Sequence, residues 1–332
     1  MTKLSLLDLA HVTEGGDVAT SLANAADIAR HAESLGFERY WCAEHHGMEG
    51  IASAATSVVI GHVAAATSTI RVGAGGIMLP NHSPLVIAEQ FGTLEALFPG
   101  RIDLGLGRAP GSDQRVAAAL RRNLDTNPDA FPRDVVELQS YLAGDGRTGI
   151  KATPGAGAKV PLYILGSSLF GAQVAAVLGL PYAFASHFAP QALDDALAIY
   201  RERFQPSEVL SEPYAICGYN VFAADTEEEA HLLASSMQQS FVRLRTGQPG
   251  KLPPPVEGYR ESLPPQAAAM LDGVLKATAI GTPGQVREQM QAFVERTKAD
   301  ELIIAGSIYD HEKRKRSLTL AAEAFASEPA AA

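Results

Sequence analysis

Two polar segments in this chain combine residue types that bind anions. Arg108 follows an apolar, strand-like run at 102–106, and Gly166-Ser167-Ser168 follows another at 161–165. An arginine can hold a phosphate or carboxylate through two parallel hydrogen bonds, and a serine turn that opens a helix offers backbone amides and hydroxyls. If the two strands are neighbours, Arg108, Gly166, Ser167 and Ser168 form one phosphate site. The alternatives are a salt bridge at the rim for Arg108 and a plain helix N-cap for the serines.

A second group of residues could move protons. Glu44-His45-His46 follows a short strand-like run, and adjacent side chains of an extended segment point to opposite sides. We therefore expect one histidine to face a cavity as a donor or acid–base group and the other to pack outward. A metal site would require distant histidines to converge, and no H-x-H or H-E-x-x-H spacing supports one, so none is predicted. The histidines that such a site would use are His11, His45, His82 and His187.

Gly75-Gly76 interrupts an apolar run rich in β-branched residues. A backbone without side chains allows close approach of a flat ligand, and it equally suits a bulge or tight turn.

These residues must be positioned by a framework of alternating strands and helices. A single (β/α)₈ TIM barrel with insertions accounts for the alternation, because no G-x-G-x-x-G follows the first strand, as an open nucleotide-binding sheet would require. A barrel would bring all of the strand-end polar residues to one face. The predicted strands lie at 4–10, 38–43, 70–76, 102–106, 161–165, 181–185, 214–224 and 302–305, and helices are predicted between them, including 52–67, 84–98 and 112–144.

Composition limits the class of protein. The chain has 332 residues and a formal net charge of −10, which argues against nucleic acid and anionic membranes as partners. Cys42 and Cys217 lie in apolar runs, which indicates a reducing compartment, and we expect a cytoplasmic protein. The organisation predicted is one domain over residues 1–332, with a surface excursion at 144–159 and a mobile loop or disordered stretch at 247–265.

Several segments together resemble the bacterial luciferase-like flavin monooxygenases over nearly the whole chain, in a branch with a Gly-Ser-Ser phosphate loop. They read AEHH (43–46), VGAGGIMLPNHSP (72–84), FPGRIDLGLGR (98–108), LGSSLFGAQVAA (165–176) and FASHFAP (184–190). The resemblance implies a luciferase-like barrel that uses reduced FMN, supplied by a separate flavin reductase, and O₂ to oxidise a small molecule such as an aldehyde or ketone.

The resemblance also implies roles for single residues. His45 matches the active-site histidine beside the flavin, and Arg108 with Gly166, Ser167 and Ser168 matches the phosphate-binding positions. Gly75 and Gly76 match a segment that holds a non-proline cis peptide beneath the flavin ring. Helices 53–67 and 84–98 match those through which members often form a homodimer.

Three other functions remain open on the sequence alone. A deazaflavin (F420)-dependent oxidoreductase would use the same barrel and phosphate site. A metal-dependent barrel hydrolase could be built on the strand-end histidines, and a flavin-binding protein could lack turnover. The sequence does not identify the substrate.

Overall fold

The computed structural model describes residues 2–108, 114–120 and 130–326. It contains nine strands, and every strand pairing among the described residues is parallel. The strands are Lys3–Asp8 (β1), Arg39–Cys42 (β2), Arg71–Met78 (β3), Ile102–Gly107 (β4), Leu162–Gly166 (β5), Tyr182–Phe184 (β6), Ala215–Ala223 (β7), Thr278–Gly281 (β8) and Glu301–Ala305 (β9).

Eight of these strands close into a ring. Strands β1 to β7 pair in chain order, β7 pairs with β9, and β9 returns to β1. Strand β8 pairs with the carboxyl half of β7, at Asn220 to Ala223. The result is a (β/α)₈ TIM barrel, as the sequence predicts, and the eight strands predicted from the sequence are the eight that close it.

Helices separate the strands and surround the ring. They are Val18–Ser34 (α1), Thr56–Ala66 (α2), Pro84–Leu97 (α3), Gln114–Leu120 (α4), Phe131–Ala143 (α5), Leu169–Leu178 (α6), Leu193–Arg203 (α7), Glu227–Arg245 (α8), Pro265–Leu275 (α9), Pro283–Thr297 (α10) and His311–Ala326 (α11). Short 3₁₀ turns precede α3, at Leu79–Asn81, and α7, at Pro190–Ala192. None of the described helices is long and apolar enough to cross a membrane.

Some of the predicted boundaries need correction. The strand β8 was not predicted, because four residues that end in Gly281 carry no clear alternation. The helix expected from residue 52 begins at Thr56, since residues 52–55 are irregular after the short bridge at Ile51. Of the helical stretch expected at 112–144, residues 112–113 and 121–129 lie outside the described residues.

The main apolar core lies between the outer face of the ring and the helices. The buried face of α1 includes Ala25, Ala29 and Ala32, which lie in the same core as strand residues such as Tyr40 and Val72, whereas Val18 in its first turn is exposed. The side chain of Asp17 accepts a hydrogen bond from Thr20 N at 2.8 Å and so caps this helix. The alanines on one face of α1 let this helix pack closely on the strands.

The segment 144–159 follows α5 and packs on α3. A Cβ added at Gly92 would lie 2.3 Å from the Cα of Gly155, so the two backbones are in direct contact there. Ala152 in the same segment is buried in the main core. Gly92 and Gly155 therefore allow the predicted excursion at 144–159 to pack directly on α3.

The inside of the barrel holds a second, smaller core with a charged base. Arg39 at the start of β2 is buried, and it donates to Asp103 Oδ2 at 2.6 Å and to Glu301 Oε1 at 2.8 Å. Its guanidinium carbon lies 5.1 Å from the ring centre of Tyr163 and 5.5 Å from that of Trp41. Above this base, Trp41 and Tyr163 pack edge to face at 4.9 Å.

Helix α8 lies along the carboxyl edge of the ring. At its first turn Glu227 accepts from Gln285 of α10, and at its last turn Arg243 donates to Glu14 in the loop after β1, at 2.6 Å. Both partners are in segments that follow carboxyl ends of strands, so both ends of α8 are at that edge. Its central residues 233–239 are all buried.

The segment 247–265 joins this edge to the loop after β1. Leu252 is buried, its amide donates to the Val12 carbonyl at 2.9 Å, and its carbonyl accepts from Glu14 at 2.8 Å. Farther along, Val256 N donates to the side chain of Ser235 in α8 at 2.8 Å. These contacts hold the segment over the end of the barrel in this structure, and its mobility stays a prediction.

Removing the charge at the base of the barrel should be costly. We expect Arg39→Ala to lower the free energy of unfolding by about 3–5 kcal/mol, because Glu301 would stay buried without a cation and Asp103 would keep only its ion pair with Arg71. Urea unfolding followed by circular dichroism measures the loss. The control is Arg260→Ala, which breaks an exposed ion pair with Asp272 and should cost about 1 kcal/mol or less. Equal losses in the two variants would contradict a structural role for the Arg39 network.

Candidate functional site

The carboxyl end of the barrel, here called the mouth, brings the predicted anion-binding residues together. Strands β4 and β5 are neighbours in parallel register, with Gly107 opposite Leu165. This register places Arg108 beside Gly166, where the next residues along each strand leave the sheet. The guanidinium carbon of Arg108 lies 4.2 Å from the ring centre of Phe170, in the first turn of α6. Arg108, Gly166, Ser167 and Ser168 are called the anion cradle below.

The serines of the anion cradle are exposed at the start of α6. Ser168 is the N-cap residue by backbone geometry, yet no hydrogen bond from its side chain caps the first turn. The plain N-cap interpretation therefore does not account for its hydroxyl. The amides of the first helical turn and two exposed hydroxyls lie at the start of the helix on which Arg108 stacks, and this combination suits a phosphate.

The Gly75–Gly76 peptide bond is cis, which confirms the conformation that the resemblance implied. A Cβ at Gly75 would lie 2.8 Å from Leu7 Cδ1 and 2.9 Å from Trp41 Cβ. One at Gly76 would lie 2.6 Å from the Gly105 carbonyl oxygen. No side chain fits at either position, so the backbone itself forms this part of the mouth.

A buried carboxylate holds the end of β3 next to β2. The amide of Glu44 donates to the Gly76 carbonyl at 3.2 Å, and its Oε2 accepts from Met78 N at 2.9 Å. Its Oε1 accepts from His46 Nε2 at 2.7 Å and from His82 Nε2 at 2.9 Å. Glu44 thus links the end of β2, just before His45, to Gly76 through its main chain and to Met78 through its side chain.

The hydrogen bonds to Glu44 decide its charge. Burial alone would raise the pKa of this carboxyl, but the donors from His82, Met78 and His46 outweigh it and lower the pKa below the usual 4.5. Glu44 is therefore an anion at neutral pH, and it is fully engaged by donors rather than turned toward a ligand.

The histidines of the mouth divide into two groups. His46 bonds to Glu44, whereas His45 is half-buried and lowers the pKa of both His11 and His187 by charge repulsion, so it lies near them. Burial is the larger cause, and it lowers the pKa of each to about 4. His11 Nε2 is also 2.7 Å from the hydroxyl of Ser307, which follows β9. Which of His45 and His46 acts as a donor or acid–base group stays a prediction.

The four strand-end histidines do not form a common ligand set. In the described part of the chain, two groups of side chains are close enough to hold one ion, namely Glu44 with His46 and His82, and Asp27 with His311 and Glu312. Neither contains His11, His45 or His187. In the first group, the nitrogen–oxygen distances of 2.7 and 2.9 Å are those of hydrogen bonds.

Sequence reasoning missed the part played by Glu44 and His82. The sequence places Glu44 at a strand end and offers His82 only as a possible metal ligand, and the pairing of the two across two loops has no local signature. The available signal was that an acidic residue directly after a fully buried strand requires partners.

Comparisons with known proteins agree with this geometry. The family model described as luciferase-like monooxygenase matches residues 2–301. A protein of Escherichia coli K12 named luciferase-like monooxygenase is 52% identical over 318 residues, which cover 96% of this chain and 95% of that one. The N-acetyl-S-alkylcysteine monooxygenase of Bacillus subtilis is 32% identical over 340 residues and 98% of both chains.

Solved structures show the same architecture. Apo-MsnO8 superposes with a TM-score of 0.88 at 36% identity, over 99% of this chain and 100% of that one. Two more distant structures show the fold alone. They are the oxygenating constituent of 3,6-diketocamphane monooxygenase from Pseudomonas putida with FMN (TM-score 0.72, 19% identity, 97% of each chain) and an F420-dependent secondary alcohol dehydrogenase (TM-score 0.68, 16% identity, 98% and 99%).

Replacing the Glu44 carboxylate should loosen the Gly76–Met78 stretch. We expect Glu44→Gln to lower the free energy of unfolding at pH 7 by about 1–3 kcal/mol, because a buried acceptor is lost to its donors. Since the folded-state pKa is depressed, this contribution is complete above about 4.5 and disappears as the pH falls through the folded-state value. Urea unfolding at several pH values measures the difference.

The matched control is Glu49→Gln, an exposed residue in the same loop that should change stability by less than about 0.5 kcal/mol. A Glu44→Gln effect that stayed constant from pH 7 to pH 3 would contradict the depressed pKa.

Proposed function

This chain belongs to the luciferase-like monooxygenase family, and on that premise we propose that it is an oxygenase that binds reduced FMN and uses O₂ to oxidise a small organic molecule. The anion cradle is the single observation that supports a phosphate-bearing flavin as the cofactor. Arg108 from one strand and a serine turn from the next lie side by side at the mouth. A fork-shaped cation, helix amides and two hydroxyls match the charge and hydrogen-bonding needs of a terminal phosphate.

The rest of the mouth fits a flavin as well. The cis Gly75–Gly76 backbone leaves no side chain between the mouth and Trp41. A flat ring can therefore lie against bare backbone there, while Arg108 and Ser167 hold the phosphate. When bound, reduced FMN supplies the electrons that activate O₂.

His45 is the residue that we assign to the chemical step. It follows β2, it is half-buried, and it shares the mouth with His11 and His187. An imidazole in this position can hold or transfer a proton near the bound ring. Helix α8 and the segment 247–265 limit access of water to the same region from above.

The choice between FMN and F420 rests on the reaction rather than on the cradle, since both cofactors carry a phosphate on a polyol chain. Two of the relatives that are more than 30% identical are named as monooxygenases, which favours oxygen chemistry and hence FMN. We propose that a separate flavin reductase delivers the reduced cofactor, as the resemblance implies.

A homodimer is also part of the proposal. Helices α2 and α3 expose large apolar side chains, with Val58 at 70%, Leu97 at 64% and Val86 at 43% of their surface. Surfaces of this kind commonly become buried in subunit interfaces. Sedimentation velocity would test the homodimer, and a protein that is monomeric at micromolar concentration would exclude it.

Loss of the Arg108 guanidinium should weaken the binding of FMN more than the binding of riboflavin. We expect Arg108→Ala to raise the Kd for FMN by about 10- to 100-fold and that for riboflavin by less than about threefold, because only FMN carries the phosphate. Anaerobic titration with reduced flavins measures both constants. Arg30→Ala, on the outer surface of α1, is the control. Equal losses for the two flavins would exclude a phosphate contact by Arg108.

Loss of the His45 imidazole should affect turnover rather than binding. We expect His45→Ala to keep the Kd for reduced FMN within about threefold and to lower substrate oxidation by about 10²- to 10⁴-fold. Product formation is measured on a panel of aldehydes, ketones and thioethers, with oxygen uptake recorded in parallel. His231→Ala, an exposed residue of α8, is the control.

The proposal as a whole is tested with the unmodified protein. Substrate-dependent oxygen uptake should occur with reduced FMN and be absent with reduced F420. Hydride transfer from reduced F420 without oxygen uptake would establish the alternative cofactor. Tight flavin binding with no turnover on any substrate would favour a flavin-binding protein.

A further inference from the structure

His187 is a mouth residue to which the proposed function gives no role, although the structure fixes its ring firmly. It follows β6, and its main-chain carbonyl accepts from Asn220 Nδ2 at 2.8 Å. The preceding residue, Ser186, donates from its hydroxyl to the Gly218 carbonyl at 2.6 Å. Both contacts are with β7, so two hydrogen bonds lock the loop against that strand.

The ring of His187 occupies the space that a side chain at position 218 would fill. A Cβ built on Gly218 would lie 2.1 Å from Nδ1, 3.0 Å from Cε1 and 3.1 Å from Cγ. The edge formed by these three atoms therefore packs on the glycine, and the opposite edge, which carries Nε2, points away from β7. Gly218 is on the same face of β7 as Ile216, which belongs to the core inside the barrel. Nε2 is thus directed across the inside of the mouth.

The surroundings of Nδ1 determine which nitrogen carries the proton. Nδ1 is buried and has no hydrogen-bond partner among the described residues. A buried N–H without an acceptor is rarer and less tolerated than a buried acceptor without a donor. The neutral ring therefore places its proton on Nε2. Burial, assisted by His45, lowers the pKa of the ring to about 4, so it is uncharged at pH 7.

We propose that His187 presents a neutral Nε2–H as a hydrogen-bond donor to a carbonyl oxygen of the molecule bound in the mouth. An uncharged donor suits an uncharged acceptor, whereas the charged end of the ligand is served by Arg108. The proposal rests on the proposed function, in which both the flavin ring and an aldehyde or ketone carry such an oxygen. Gly218 is the residue that positions the ring.

The protonation state can be observed without turnover. In the full-length protein labelled with ¹⁵N, the side-chain signals of His187 are assigned by their loss in His187→Gln. We expect the neutral Nε2–H tautomer at pH 7, unchanged down to about pH 5. A charged ring at pH 7, or the Nδ1–H tautomer, would overturn the proposal.

The acceptor is then identified with two probes, reduced FMN and decanal, added separately under anaerobic conditions. If the flavin supplies the oxygen, FMN shifts the Nε2 signal, and His187→Phe raises the Kd for FMN and for riboflavin alike by about three- to tenfold. If the second substrate supplies it, decanal shifts the signal and the Kd for both flavins is unchanged. Either result supports the donor role. No shift with either probe, together with unchanged affinities, would overturn it.

Two further variants separate hydrogen bonding from packing. His187→Gln places an amide N–H near the position of Nε2 and should restore most of the affinity that His187→Phe loses. Gly218→Ala keeps the histidine but displaces its ring, and it should reproduce the loss seen in His187→Phe. If Gly218→Ala fails to fold, the comparison of His187→Phe with His187→Gln still separates the effect of hydrogen bonding from that of packing. Failure of the unmodified protein to bind FMN would instead count against the proposed function.

Discussion

The buried ion-pair network at the base of the barrel is the interaction on which the rest of the structure depends. Arg39 connects β2 to Asp103 on β4 and to Glu301 on β9, strands that are not neighbours in the ring. A charge at this depth is tolerated only because its hydrogen bonds are satisfied on both sides and two aromatic rings cover it. The network therefore sets the width of the barrel at its amino end and fixes Trp41 above it.

Each layer of the interior supports the next. Trp41 and Leu7 leave no space for a side chain at Gly75, and Gly76 in turn packs against the backbone of Gly105. The cis Gly75–Gly76 turn thus rests on a floor made by the aromatic layer, while Glu44 holds it from the side through Gly76 and Met78. The flat surface at the mouth is a consequence of packing beneath it and of one buried carboxylate beside it.

The sequence predicts the framework and the anion cradle because both depend on local patterns. Arg108 and Gly166-Ser167-Ser168 each follow a recognisable strand, and parallel neighbours must release their polar residues at the same edge. The cis peptide was implied by the resemblance and not by the glycines alone. The side chains of Asp17 and Thr226 cap α1 and α8, and such caps also follow from local sequence, because Asp and Thr are favoured directly before a helix.

Other features depend on contacts between distant residues and could not be predicted. Arg39 is 64 positions from Asp103 in the sequence and 262 from Glu301. Glu44 and His82 are separated by 38 positions. The position of α8 along the carboxyl edge depends on partners in three other segments, since its own sequence indicates only a helix. The short strand β8 gains its conformation from β7, as its four residues have little preference of their own.

The distribution of charge explains why the mouth needs two kinds of donor. A chain with a net charge of −10 repels an anionic phosphate over long distances, so the proposed phosphate binding would depend on a local cation, and Arg108 at the junction of β4 and β5 is placed to supply it. On the opposite side, burial keeps His11 and His187 uncharged, and His45 adds to that effect. Arg108 therefore supplies a cation at the cradle, while His11 and His187 offer uncharged imidazoles at neutral pH. A ligand with one anionic end and an uncharged, oxygen-bearing ring satisfies both halves, whereas a ligand with charge at both ends would leave one of them without a suitable partner.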